Sequence, residues 1–265
     1  AAVQTHRRLV RYRILATDTT GSAERVPYND DPAPNCAYFV CGTMPDYTAA
    51  INPAGAVSYT GSVIPSHTAT AVTYPASMLQ ALPAYHLITT RQNHVDAQYI
   101  PGAPGASNPS TQFRGDESAS ATDEQAYPWL GTLVYDGKVY DHIRYRARGG
   151  VWRYSMGKNM WKFDMARGHD FQTRDNFGRE RQEKWKKVNF SSCIQQGDFN
   201  HRGEQGLFES VGFRLFQLTG MPANNTNFVH FRIIENASET GPTSSQYDDD
   251  FQGLYLAIEQ EDGQF

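Results

Sequence analysis

Arg144, Arg146 and Arg148 alternate with Tyr145 and Ala147, and Arg153, Lys158 and Lys162 follow them. Lys158 comes directly after Gly157 and just before a strand-like segment, residues 160–164. A lysine on a strand beside a glycine-containing turn can reach a phosphate; the same pattern also describes a surface lysine on a hairpin. Glu204 and Glu209 fall in a segment of helical periodicity. A helix glutamate facing a strand lysine forms the ion pair that positions nucleotide phosphates in kinases; otherwise it belongs to a solvated helix face. Glu259-Gln260-Glu261-Asp262 ends an apolar strand, either as a hinge that offers backbone groups to an adenine ring or as surface carboxylates. Asp248-Asp249-Asp250 lacks the glycine and the spaced oxygens of a calcium loop and reads as solvated. Asp198 and His201 could form a hydrolytic dyad, though capping of the nearby helix is the simpler role. No nucleophile elbow, zinc-protease or P-loop motif occurs, and no metal ligand set has the right spacing around the cysteines.

These residues sit in an uneven charge distribution. Residues 1–143 carry 8 Lys+Arg against 12 Asp+Glu, residues 144–187 carry 13 against 5, and residues 188–265 carry 3 against 11. A basic block next to an acidic one implies internal ion pairing, a basic cleft for an anionic ligand, or a solvated basic face. Nucleic acid is disfavoured, because the arginines alternate with apolar strand residues instead of forming a basic helix or tail. No apolar run approaches 18 residues, so no membrane-spanning helix is expected.

The elements that must position these groups are mostly strands. Period-two alternation predicts strands at residues 10–16, 37–40, 56–59, 71–74 and 85–90. Residues 18–35 and 101–127 read as loops, the second one long, polar and rich in Pro, Gly, Ser and Ala. Helical turns are expected at 75–82 and 91–99. Asp136-Gly137 between 132–135 and 138–140 predicts a type I′ hairpin, followed by strands at 142–146, 160–164, 188–190, 228–234 and 253–259. Leu207, Phe208, Val211, Leu215 and Leu218 recur at helical spacing, so a helix packed on the sheet is expected over 203–219, ended by Gly220 and Pro222. The expected class is α+β: a mostly antiparallel sheet with one main packed helix. Cys36 and Cys41 could bridge across a short loop in an oxidising compartment, and Cys193 reads as a small buried apolar residue.

Six ordered segments resemble the CotH kinase family, the spore-coat-protein-H-like proteins. They are Ile143-Arg144-Tyr145-Arg146-Ala147-Arg148-Gly149-Gly150, Gly157-Lys158-Asn159-Met160-Trp161-Lys162-Phe163, Trp185-Lys186-Lys187-Val188-Asn189-Phe190, His201-Arg202-Gly203-Glu204, Leu218-Thr219-Gly220-Met221-Pro222-Ala223 and Gly253-Leu254-Tyr255-Leu256-Ala257-Ile258-Glu259-Gln260-Glu261-Asp262. The resemblance covers residues 83–265. It implies the small lobe of an atypical protein-kinase-like fold, preceded by a β-rich segment over residues 1–82. It also implies a nucleotide site built from Lys158, Arg148, Glu209 or Glu204, Glu259 and Asp262, with ATP and Mg2+ as cofactors of the full-length protein. Family members act on surface or coat proteins outside the cell. One departure is that Lys158 is followed by Asn159, where the family often has a second lysine. The family's metal-holding carboxylates lie beyond the Glu-Gln-x-Asp strand, so this chain reads as an inactive fragment of a longer secreted protein. The alternative expectation is a non-catalytic adhesive or coat module, with protein neighbours as partners. Binding of polysaccharide through the 15 Tyr and four Trp residues is a third, weaker idea, since sheet cores explain them equally well.

Overall fold

The computed structural model describes residues 4, 7–26, 36–42, 46–50, 55–59, 62–67, 71–98, 122, 126–148, 159–166, 168–193, 204–235 and 251–260. The N-terminal strands are β1 (Arg8–Tyr12), β2 (Ile14–Thr17), β3 (Ala23–Val26), β4 (Cys36–Val40), β5 (Tyr47–Ala50), β6 (Gly55–Tyr59), β7 (Ser62–His67) and β8 (Ala71–Tyr74). They form four two-stranded antiparallel pairs, β1 with β4, β2 with β3, β5 with β8 and β6 with β7. Next come α1 (Ala76–Leu79), β9 (Ala84–Thr89), α2 (Arg91–Gln98), β10 (Trp129–Tyr135), β11 (Lys138–Arg148), β12 (Met160–Asp164) and β13 (Lys187–Ser191). The chain continues through α3 (Glu204–Leu218), β14 (Thr226–Glu235) and β15 (Phe251–Glu259).

Strands β9 to β15 close into a seven-stranded barrel, in the order β10-β11-β12-β13-β15-β14-β9. Every pair is antiparallel except β14 with β9, which runs parallel with His230 opposite Ala84 and Glu235 opposite Thr89. Closure follows the alternation of the strands. Tyr145, Ala147, Trp161, Phe163, Val188, Phe190, Phe231 and Tyr255 point inward and are almost wholly buried. Their rings meet edge to face, Phe190 with Phe231 at 5.0 Å and Phe163 with Phe190 at 4.7 Å, a favoured arrangement for aromatic pairs.

The barrel corrects the expected architecture. The chain is not an α+β small lobe built around a sheet-packed helix. It is strand-dominated with a closed barrel, and its helices are short. The longest, α3, lies outside the barrel against β14 and β15. The apolar residues that predicted its packing are turned away, with Leu207, Val211, Leu215 and Leu218 each more than half exposed. Gly206, Glu209, Ser210, Phe213 and Gln217 face the barrel instead.

Other local expectations divide. Asp136 and Gly137 adopt φ of 54° and 70°, as a type I′ turn requires. Strand β3 interrupts the expected loop at 18–35, and the predicted strand at 10–16 is split at Arg13. Cys36 opens β4 and Cys41 follows its last residue. A fully extended strand of that length separates them by roughly 16 Å, well beyond the ~7 Å limit for a disulfide, and all three cysteines are free. Tyr85, Tyr145, Tyr255, Trp129, Trp161 and Trp185 lie in the core, not on a sugar-binding surface.

The β1–β4 pair is pinned to the barrel wall. Leu9 and Phe39 pack on Ile88, Val134 and Ile234. Arg11 donates from Nε and Nη2 to both oxygens of Asp141, at 2.6 and 3.0 Å, and Thr132 Oγ1 donates to Asp141 at 2.6 Å. Burial of Asp141 works to raise its pKa, but the Arg11 and Thr132 hydrogen bonds outweigh it and hold the carboxyl below its ordinary value.

Candidate anion-binding face

Because Tyr145, Ala147, Trp161, Phe163, Val188 and Phe190 point into the barrel, their neighbours point out. The registers align them in rows across β11, β12 and β13. Arg146 stands opposite Lys162, and Lys162 opposite Asn189; Arg144 stands opposite Asp164, and Asp164 opposite Lys187. Arg148 pairs with Met160 one step further along. Neighbouring strands lie about 4.8 Å apart, so Arg144, Arg146, Arg148, Lys162 and Lys187 share one patch, in which Asp164 is the one carboxylate among the described residues of these rows; Arg146 and Asp164 are themselves buried. This is where part of the basic block at 144–187 gathers.

Tyr127, read from the sequence as part of a polar loop, closes one end of the face. The Arg146 guanidinium lies 5.3 Å and the Lys187 ammonium 5.5 Å from its ring centre, and Arg144 Nη1 donates to its carbonyl at 3.4 Å. Both cations gain from the ring's negative face. In the middle row Asn189 is 8% exposed and its Oδ1 accepts no hydrogen bond from the described residues. A buried amide oxygen without a donor costs about 1–3 kcal/mol unless water or a ligand supplies one.

Helix α3 borders the face. Ser191 Oγ donates to Glu209 Oε2 at 2.5 Å, which sets Glu209 beside the row that contains Arg148. Glu204 is the first residue of α3, and its side chain lies outside the described residues. Glu259 is at another corner. It pairs with Val188 in the inward register, its Oε2 accepts from Asn225 Nδ2 at 2.8 Å, and its carbonyl accepts from Asn224 Nδ2 at 2.7 Å. Lys158 and Asp262 lie outside the described residues, as do Asp198, His201 and Asp248–Asp250. Of the six residues singled out, Arg148 lies on β11, Glu209 is bonded to Ser191 of β13 two strands away, and Glu259 is tied to the turn after α3. Lys162 is part of the basic run picked out in the sequence, but Lys187, Asn189 and Tyr127 are not singled out there. The alternation of Trp161-Lys162-Phe163 already marks Lys162 as outward, but nothing local aligns it with Arg146.

The face offers guanidinium, ammonium and amide groups, a set suited to phosphate oxygens and not to a bare divalent cation. Among the described residues, no three His, Cys, Asp or Glu side chains gather to hold a metal. No described helix is long and apolar enough to cross a membrane. No family model matches the chain, and no curated protein is similar to it.

Proposed function

We propose that the chain binds the phosphate groups of a nucleotide, ATP with its Mg2+, on the outer face of β11, β12 and β13. This binding would serve phosphoryl transfer to a surface or coat protein outside the cell. The observation that supports it is the gathering, among the described residues, of five cations against one carboxylate on three adjacent strands. The ordered CotH-like segments favour a nucleotide as the anion, since two of them supply Arg144, Arg146, Arg148 and Lys162. The chemistry required here is positioning and charge neutralisation, to which fixed cations contribute directly.

Isothermal titration of the whole chain with magnesium-ATP and with inorganic triphosphate tests this reading. Both ligands should bind, and Lys162→Glu or Arg148→Glu should weaken binding by about tenfold or more, since a fixed cation near a phosphate contributes upward of about 1.4 kcal/mol. Absence of binding at millimolar ligand, or binding indifferent to both substitutions, would refute it. A non-catalytic extracellular interaction module is the second reading, and the exposed apolar stripe of α3 favours it.

A further inference from the structure

Helix α3 is built inside out. Its barrel side is mostly polar and bonded: Ser210 Oγ lies 3.0 Å from Thr226 Oγ1, Gln217 Nε2 donates to Ala223 O at 3.0 Å, and Glu209 accepts from Ser191. Phe213 is the apolar exception, packed against the cluster of Cys193, Leu256 and Ile258. The solvent side carries Leu207, Phe208, Val211, Leu215 and Leu218, between 54% and 66% exposed. At 100° per residue these five fall within one arc of about 100°, a continuous seam along about three turns. Together they form a patch on the order of 500 Å², comparable to the largest patch of a typical monomer, which is often functional.

A groove of about 360 Å³ runs beside this seam, between α3 and the turn at residues 175–181. Val211 and Arg214 form its α3 wall, Arg179 and Arg181 the opposite wall, and Phe177, 84% exposed, stands at its tip. Arg179 is matched by Asp175 at 2.9 Å. Arg181 donates to Asn225 Oδ1 at 2.7 Å and Thr226 O at 3.1 Å, and Arg214 to Gln217 Oε1 at 3.2 Å. Among the described residues, these two guanidinium groups donate only to neutral acceptors and Arg214 has no ion pair, while Asp175 and Glu259 lie close enough to Arg181 to act on its charge.

We propose that α3 and this groove dock an amphipathic segment of a partner protein, with an apolar face on the Leu207–Leu218 seam and carboxylates along one edge facing Arg181 and Arg214. The charge pattern selects this occupant. A second copy meeting the seam about a two-fold axis would bring both copies' Arg181 and Arg214 to one interface, which like-charge repulsion disfavours. A partner segment with an acidic edge satisfies both the seam and the arginines, in the manner of a helix laid in a groove.

The test uses the whole chain and two fluorescent synthetic peptides of about 18 residues, roughly five helical turns. Both carry leucine at helical spacing; one has a glutamate edge and the other a lysine edge. Fluorescence anisotropy at low salt should show the glutamate-edged peptide binding at least about tenfold more tightly. Arg214→Glu should remove that preference, and Leu215→Asp should abolish binding of both peptides. Both positions are exposed, so circular dichroism should show unchanged folding, and triphosphate binding on β11 to β13 should be unaffected. Equal binding of the two peptides, or binding indifferent to Leu215→Asp, overturns the proposal. So does sedimentation showing a dimer that Leu215→Asp dissociates, or binding through the seam to vesicles of one part phosphatidylglycerol to three parts phosphatidylcholine in place of the peptide.

Discussion

Two glycines in α3 should respond to alanine with opposite signs. A Cβ on Gly206 would stand 2.5 Å from Cys193 Sγ, 3.1 Å from Cys193 Cβ and 3.2 Å from Phe228 Cε1. A Cβ on Gly212 would meet nothing within 4 Å. Comfortable contacts start near about 3.5 Å, so the added methyl of Gly206→Ala must push the helix outward by roughly 1 Å. That shift strains the 2.5 Å Ser191–Glu209 and 3.0 Å Ser210–Thr226 hydrogen bonds. Overpacking costs about 1–3 kcal/mol, and each weakened hydrogen bond costs about 1 kcal/mol. Better helix propensity returns about 1 kcal/mol. Gly206→Ala should therefore destabilise the chain by about 3 kcal/mol, whereas Gly212→Ala should stabilise it by about 1 kcal/mol. Urea unfolding followed by circular dichroism measures both, and Cys193→Ala should recover part of the Gly206→Ala loss by removing the nearest atom. If Gly206→Ala were as stabilising as Gly212→Ala, α3 would not be seated on Cys193 and the placement of Glu209 beside Ser191 would fail.

Two further outcomes follow from the same contacts. Asp141 has a depressed pKa when folded, so its contribution is present above its unfolded value, near 3.8, and is lost as pH falls through the lower folded value. Stability measured between about pH 5 and pH 2 should fall more steeply in the native chain than in Asp141→Asn, and identical slopes would contradict the Arg11 pairing. Alkylation without reductant followed by mass spectrometry should label three thiols after unfolding, because Cys36, Cys41 and Cys193 are all unpaired; a single labelled thiol would mean that the span of β4 does not keep Cys36 and Cys41 apart.

The strands of the barrel could be read from alternation because each has one buried face. Residues 85–90, 160–164, 188–190, 228–234 and 253–259 anticipate β9, β12, β13, β14 and β15 within a few residues. The Asp-Gly turn was legible because only a left-handed dipeptide closes so short a hairpin. Closure was not, since it depends on a parallel pairing of β9 with β14 across more than a hundred residues, and local patterning carries no information on such contacts. The orientation of α3 failed for a different reason. Periodic Leu and Val residues mark an apolar face without saying what covers it, and here the barrel takes the polar face instead. Strand β3 was hidden because a short strand exposed along its whole length lacks the alternation of a buried sheet. The cationic face was half legible: alternation placed Arg144, Arg146 and Arg148 on one side of their strand, but only the registers of β11, β12 and β13 bring Lys162, Lys187 and Asn189 beside them.

Titration of the isotope-labelled chain with inorganic triphosphate, followed by amide and side-chain NMR shifts, locates the contact directly. The shifts should concentrate on Arg146, Arg148, Lys162 and Asn189 and on the Ser191–Glu209 border, with β9 and β14 on the far wall unmoved. Shifts spread evenly over exposed cations such as Arg25 and Arg179, or confined to the far wall, would contradict an anion site on β11, β12 and β13.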